Sequence, residues 1–171
     1  QSAEALIEEG YLYIDRTDRI RRIEDGGKQL LLLRPRRFGK SLWLSTLENY
    51  YDLAKAEQFE SLFGRLTIGQ APTERHNRYF IMKWNFSLVD PMGDAEAIRA
   101  TLHRHINVEI QATVAKYRAA LPGAVEVQED ALVSFRSLLA AISRTPYRLY
   151  LLIDEYDNFA NEVLVSHQQG E

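Results

Sequence analysis

Residues 39–41, Gly-Lys-Ser, close a short run that follows an apolar stretch and precedes a helical pattern. This layout is typical of a nucleotide phosphate-binding loop, in which backbone amides at a helix N-terminus surround the phosphates. We expect the Lys40 amine to reach the terminal phosphates and the Ser41 hydroxyl to bind Mg²⁺. The general pattern has a glycine where this chain has Arg34, so the loop departs from it at one position.

A second group of residues with chemical potential ends the apolar run at residues 151–153, where Asp154 and Glu155 follow directly. Mg²⁺ on nucleotide phosphates keeps most of its waters and needs a nearby carboxylate, a role that we assign to Asp154. Glu155 is then placed to orient or deprotonate the attacking water. The alternative for this acidic pair is an exposed cap between a strand and a helix.

The elements that must position these residues follow from hydrophobic periodicity. Residues 29–33 predict a strand buried on both faces, because four consecutive leucines leave no polar face. Further strands are predicted at residues 79–86 and 149–153. Helices are predicted at residues 3–9, from 17 or 18 to 26, around 44–51, from an N-cap at Asp94 to about 120, at about 130–142 and at about 158–165. Strands that alternate with helices predict an α/β fold with a largely parallel sheet.

Composition bounds the class of protein. The 171 residues fit one domain, and 46% hydrophobic residues suffice for a core. A net charge of −3 gives no overall attraction to nucleic acid or anionic membrane. The absence of cysteine excludes disulfides and thiolate metal sites, which fits a cytoplasmic protein. No apolar run is long enough to span a bilayer, so no membrane partner is expected.

Five strings, taken in order, resemble the bacterial and archaeal AAA-ATPase-like family and cover nearly the whole chain. They are Tyr-Ile-Asp-Arg-Thr at 13–17, Leu-Arg-Pro-Arg-Arg-Phe-Gly-Lys-Ser at 33–41, Leu-Phe-Gly at 62–64, Asn-Phe-Ser at 85–87 and Leu-Ile-Asp-Glu-Tyr-Asp at 152–157. Within that family Arg34 is the regular variant of the loop. The resemblance implies a P-loop NTPase-type three-layer αβα fold in which an ATPase module is often followed by a PD-(D/E)XK nuclease-like domain.

Residue roles follow from the same resemblance. The expected nucleotide-binding residues are Arg36, Arg37, Phe38, Gly39, Lys40 and Ser41. Ser41 and Asp154 are the expected Mg²⁺ ligands, and Lys40 and Glu155 the expected catalytic residues. Residues 1–171 then form the N-terminal portion of such a domain, with the phosphate-loop strand, loop and helix at 29–53 and the Asp-Glu strand with its helix at 149–165.

The expected function is ATP binding and Mg²⁺-dependent hydrolysis that regulates an attached effector or nuclease-like domain. ATP is preferred to GTP because an Asn-Lys-x-Asp base-recognition motif is absent. The alternative is a non-hydrolysing, nucleotide-dependent switch module that contacts a protein partner or DNA. The sequence also leaves open whether the protein forms a homo-oligomer.

Several residues carry two interpretations. Arg34, Arg36 and Arg37 form a basic cluster that could assist phosphate binding, contact nucleic acid or pair with carboxylates. Asn85 and Ser87 could hold the catalytic glutamate or cap the end of a strand. His103 and His105 are not expected to bind metal, because residues two apart on a helix diverge.

The strand order of ATPases with an Asp-Glu pair adds one expectation. In those sheets a later strand lies between the phosphate-loop strand and the Asp-Glu strand. The chain continues for only 16 residues beyond Glu155, too few for a helix and a returning strand. We therefore expect a sheet truncated before its later strands and a fragment that need not be active alone.

Overall fold

The computed structural model describes residues 29–34, 42–157 and 159–160 and the single residues 20, 24 and 163. Its strands are β1 Leu30–Arg34, β2 Tyr79–Asn85 and β3 Arg148–Asp154. Its helices are α1 Leu42–Tyr51, α2 Phe59–Phe63, α3 Thr67–Gln70, α4 Ala95–Lys116 and α5 Ala131–Ser143, with 3-10 turns at Leu53–Gln58 and Phe86–Leu88. None of these helices is long and apolar enough to cross a membrane.

The three strands form an all-parallel sheet in the order β1-β3-β2. As expected for a sheet truncated before its later strands, the described part of the chain has no strand between the phosphate-loop strand and the Asp-Glu strand. Instead β1 and β3 are hydrogen-bonded directly, from the pair Leu30–Tyr150 to the pair Arg34–Asp154. These bonds occupy the edge of β3 that an inserted strand would need, so insertion would require them to break.

The helices lie on both faces of the sheet, which gives three layers. On one face α1 packs with Leu30, Tyr150, Leu152 and Ile81 in one hydrophobic cluster. On the other face α4 and α5 pack on the alternate residues of β2 and β3 in a second cluster. The crossover from β1 to β2 and the crossover from β2 to β3 run in opposite directions across the sheet. For both crossovers to have the same handedness, their helices must lie on opposite faces.

Strand β1 corrects the expectation of burial on both faces. Leu30 is 6% exposed, whereas Leu31 and Leu33 are 62% and 57% exposed. The reason is its place in the sheet: β1 lies at one end of the strand order, and the second cluster, built on α4 and α5, contains residues of β2 and β3 but none of β1. A run of four leucines therefore does not reveal which face a neighbouring helix leaves uncovered.

The longer elements agree with their predicted positions. Asp94 and Asp130 cap α4 and α5, their Oδ1 atoms accepting the N–H groups of Ala97 and Leu132 at 2.8 and 2.9 Å. The helix predicted at 158–165 begins earlier, since Tyr156 is already helical. The helix predicted at 3–9 lies outside the described residues, as does most of the one predicted from 17 or 18 to 26.

The short helices α2 and α3 have no counterpart in the sequence prediction. Each covers five residues or fewer, which is too short for a periodic apolar pattern. Their close packing depends on Gly69, where a Cβ atom would lie 1.6 Å from the carbonyl oxygen of Phe63. Leu-Phe-Gly at 62–64, one of the five strings that resemble the family, thus has a structural role, because Leu62 and Phe63 are almost fully buried.

Candidate functional site

Asp154 is the last residue of the central strand and lies at the carboxyl edge of the sheet. Its register partners are Arg34 at the end of β1 and Asn85 at the end of β2. Side chains alternate along a strand, so Asp154 shares the α1 face with Tyr150 and Leu152. At 8% exposure this carboxylate is buried, which distinguishes it from the exposed cap considered from the sequence.

Glu155, which directly follows β3, has an unusual backbone conformation. Its φ is +56°, in the left-handed region that residues with a Cβ atom seldom adopt. The chain turns here from the strand into the helical residues that begin at Tyr156. Such positions cluster at functional sites, where the surrounding structure holds a conformation that is locally unfavourable.

Asn85 acts as a cap at the end of β2, one of its two predicted interpretations. Its Oδ1 accepts the N–H of Ser87 at 3.0 Å and the Ser87 hydroxyl at 2.7 Å. The oxygen is therefore committed to the 3-10 turn that starts at Phe86. Phe86 in turn packs against Phe159, with ring centroids 5.7 Å apart, so the turn contacts the helical residues that follow Glu155.

Helix α1 begins at Leu42, directly after the predicted phosphate loop. Residues 35–41 lie outside the described part of the chain. The predicted roles of Arg36, Arg37, Phe38, Gly39, Lys40 and Ser41 therefore stay predictions. The described flanks agree with such a loop: β1 ends at Arg34 beside Asp154, and after seven intervening residues α1 begins on the face that Asp154 shares.

Comparison with models of protein families shows to which family the chain belongs. The model of a family described as a predicted AAA-ATPase matches residues 1–171. The chain belongs to this family. No curated protein and no solved structure matched it. The family match thus supports an ATPase-like function for this AAA-ATPase-like chain, and it assigns no role to individual residues.

Metal binding by the AAA-ATPase-like chain can be judged by donor chemistry. The described residues contain no group of three or more histidine, cysteine, aspartate or glutamate side chains that could hold a metal ion alone. His103 is engaged elsewhere, since its Nδ1 accepts the Ala131 N–H at 2.8 Å. Mg²⁺ on nucleotide phosphates is commonly held by one or two carboxylates, and the buried Asp154 carboxylate fits this need.

The end of α1 far from the predicted loop is held by buried polar contacts that sequence reasoning missed. The Tyr51 hydroxyl donates to Glu24 Oε1 at 3.1 Å, and the Thr73 hydroxyl donates to the same oxygen at 2.6 Å. The Thr73 N–H donates to the Tyr50 hydroxyl at 2.9 Å. Burial and the neighbouring Glu24 carboxylate raise the pKa of Tyr51 well above its usual range. The sequence feature that could have indicated these contacts is the pair of adjacent tyrosines at the end of a predicted helix.

Asp52 follows these tyrosines and is also buried, at 5% exposure. Its Oδ1 accepts the Tyr117 hydroxyl at 2.8 Å, and its Oδ2 pairs with Lys116 Nζ at 3.1 Å. Burial, with the Asp52 carboxylate as the next contribution, raises the pKa of Tyr117 well above its usual range. Contacts across 64 and 65 positions of sequence leave no local pattern, so no sequence signal identifies them.

One cavity of the described residues lies apart from the acidic pair. It encloses about 730 Å³ between α4 and the start of α5, and Arg99, His103, Asn107 and Asp130 are among its lining residues. Neither Asp154 nor Glu155 contributes to it.

Proposed function

We propose that the chain binds ATP and hydrolyses it with the help of Mg²⁺. The observation that carries the proposal is the position of Asp154. Its buried carboxylate ends the central parallel strand, beside the strand that feeds the predicted phosphate loop and on the face of the helix that follows that loop. Ligands of open parallel sheets bind at this carboxyl edge.

In the proposed reaction the Glu155 carboxylate accepts a proton from a water molecule as the water oxygen attacks the γ-phosphorus. The bond between the γ-phosphorus and the β–γ bridging oxygen breaks, and ADP and phosphate leave. Lys40 contributes positive charge at the transferred phosphoryl group. Mg²⁺, when bound, neutralises phosphate charge, and Ser41 and Asp154 are the residues that would hold it.

The direct test compares two variants with the unaltered chain. Lys40→Ala is expected to lose ATP binding, because the amine that neutralises the terminal phosphates is gone. Glu155→Gln is expected to bind ATP but not turn it over. Binding is measured by titration calorimetry and turnover by phosphate release. Full ATP binding by Lys40→Ala would contradict the loop assignment, and full turnover by Glu155→Gln would contradict the catalytic role.

Regulation of an attached effector or nuclease-like domain is a further part of the proposal, and it rests on the family resemblance alone. A cytoplasmic location is also part of the proposal, and it rests on the absence of cysteine from the sequence. The same assays distinguish the alternative, a nucleotide-dependent switch module that does not hydrolyse ATP. Such a module would bind ATP, and its steady rate of phosphate release would not exceed that of Glu155→Gln.

A further inference from the structure

Asp52 joins three elements through one buried carboxylate. It follows the last residue of α1, and its N–H continues the helical pattern by donating to the Glu48 carbonyl at 2.8 Å. Oδ1 accepts the Ala54 N–H at 2.9 Å and the Tyr117 hydroxyl at 2.8 Å, and Oδ2 accepts Lys116 Nζ at 3.1 Å. The end of α1 is thereby fixed to the end of α4.

The same contacts reach the outer edge of β2. The Tyr117 hydroxyl, which donates to Asp52, also accepts the Ile81 N–H at 3.1 Å. The Asp52 carbonyl accepts the Asn77 side-chain amide at 2.9 Å, and Asp52 forms an isolated bridge with Tyr79. Asp52 therefore links α1, α4 and the edge strand, directly or through Tyr117, by hydrogen bonds of 2.8 to 3.1 Å.

Other contacts of α1 are less suited to hold it against α4. The Glu48–Lys83 pair, at 3.1 Å, ties α1 to β2, but the Lys83 side chain is 53% exposed. Exposed ion pairs of this kind contribute little because water screens them. The Lys116 side chain is 50% exposed as well, so the buried hydrogen bond from the Tyr117 hydroxyl to Asp52 is the main link between α1 and the end of α4. The Tyr51 and Tyr50 hydroxyls bind Glu24 and Thr73, which do not belong to α4.

We propose that Asp52 is a positioning residue for the phosphate loop, holding the tilt of α1 so that its first turn faces the nucleotide. This inference rests on the proposed ATP-binding function. At a rise of about 1.5 Å per residue, α1 is about 15 Å long, so a tilt of about 5° at Asp52 moves its first turn by about 1.3 Å. A displacement of that size would weaken the hydrogen bonds between the loop and the phosphates, so we expect the main effect on ATP affinity.

The test compares Asp52→Ala with Asp52→Asn. Alanine removes every side-chain contact, and we expect ATP to bind about tenfold more weakly. Asparagine keeps an oxygen for Ala54 and Tyr117, so its affinity should stay within about threefold of the unaltered chain. Because the loop holds ATP in both ground and transition states, KM should rise while kcat stays nearly unchanged.

A matched control removes a buried hydrogen-bonding group far from α1. Ser134 is fully buried, and its hydroxyl accepts the Gln128 N–H at 2.8 Å. Ser134→Ala should lose stability without any change in KM, which separates positioning from general destabilisation. All variants are assayed well below their unfolding midpoints, with circular dichroism confirming the folded state.

Tyr117→Phe supplies a second variant that leaves Asp52 and its ion pair with Lys116 in place and removes only the hydrogen bonds that the Tyr117 hydroxyl makes with Asp52 and with the Ile81 N–H of β2. It should raise KM in the same direction as Asp52→Ala. Unaltered KM in folded Asp52→Ala and Tyr117→Phe would overturn the positioning role while leaving ATP binding intact. Failure of the unaltered chain to bind ATP would instead refute the proposed function itself, and with it this inference.

Discussion

Asp154 and Asn85 are direct register partners at the ends of two neighbouring parallel strands. Asn85 commits its oxygen to Ser87, whereas the Asp154 carboxylate is buried on the face shared with α1. The two side chains therefore have different surroundings despite their matching positions. Asn85 ends its strand by capping a turn, and Asp154 offers an acid at the edge where nucleotide is proposed to bind.

Asp154→Asn should reduce ATP hydrolysis by about 10- to 100-fold and raise the Mg²⁺ concentration needed for half-maximal rate. The substitution keeps the size of the side chain and removes the negative charge that attracts the ion. The measurement is phosphate release across a Mg²⁺ titration. Asp157→Asn removes a nearby carboxylate as a control and should leave the titration midpoint in place. An unchanged midpoint in Asp154→Asn would refute its role as a ligand.

Glu155→Gly should stabilise the fold by about 0.5–1 kcal/mol while abolishing turnover. The φ of +56° disfavours a residue with a Cβ atom, and glycine adopts it without that penalty. Glu155→Gln keeps the Cβ atom, so it should lose turnover without gaining stability. Urea unfolding followed by circular dichroism measures both variants. Equal stability of the two would show that the backbone at this position carries no strain.

The alternation of strands and helices, and the edge at which the acids lie, could be read from the sequence. Asp154 follows a run of apolar residues, and such runs predict buried parallel strands whose carboxyl ends bind ligands. The long helix after Asp94 was equally accessible, since a capping residue and a periodic apolar face mark it locally. These features depend on residues close together in the chain.

Features that depend on distant residues could not be predicted. The exposure of Leu31 and Leu33 follows from where α4 and α5 pack, which the four leucines themselves do not encode. A truncated sheet follows from the sequence, whereas the direct pairing of β1 with β3 within it does not. The Asp52–Lys116 contact joins positions 64 apart, so only tertiary packing reveals it.

Replacing the two buried tyrosines Tyr150 and Tyr117 by phenylalanine should have opposite effects. Within the described structure the fully buried Tyr150 hydroxyl has no hydrogen-bond partner, so Tyr150→Phe should stabilise the fold by about 1 kcal/mol. The Tyr117 hydroxyl has two partners, so Tyr117→Phe should cost about 1–3 kcal/mol. Urea titrations at neutral pH measure both. Equal destabilisation would show that Tyr150 has a partner in solution.

The buried tyrosines also predict how stability depends on alkaline pH. Burial is the main cause that raises the pKa values of Tyr51, Tyr79, Tyr117 and Tyr150. Above about pH 10 the unfolded chain releases tyrosine protons that the folded chain retains, so the free energy of unfolding falls as pH rises. Each such tyrosine contributes a loss of about 1.4 kcal/mol per pH unit until its folded pKa is reached.

Tyr150→Phe isolates one of these contributions. Its free energy of unfolding should fall less steeply than that of the unaltered chain between pH 10 and pH 11, by about 1 kcal/mol over that unit. Lysines also titrate in this range, but they are the same in both proteins, so the difference reports Tyr150. Urea unfolding at pH 8, 10 and 11 provides the measurement. Parallel curves for the two proteins would mean that the Tyr150 hydroxyl ionises as readily in the folded chain as in the unfolded one.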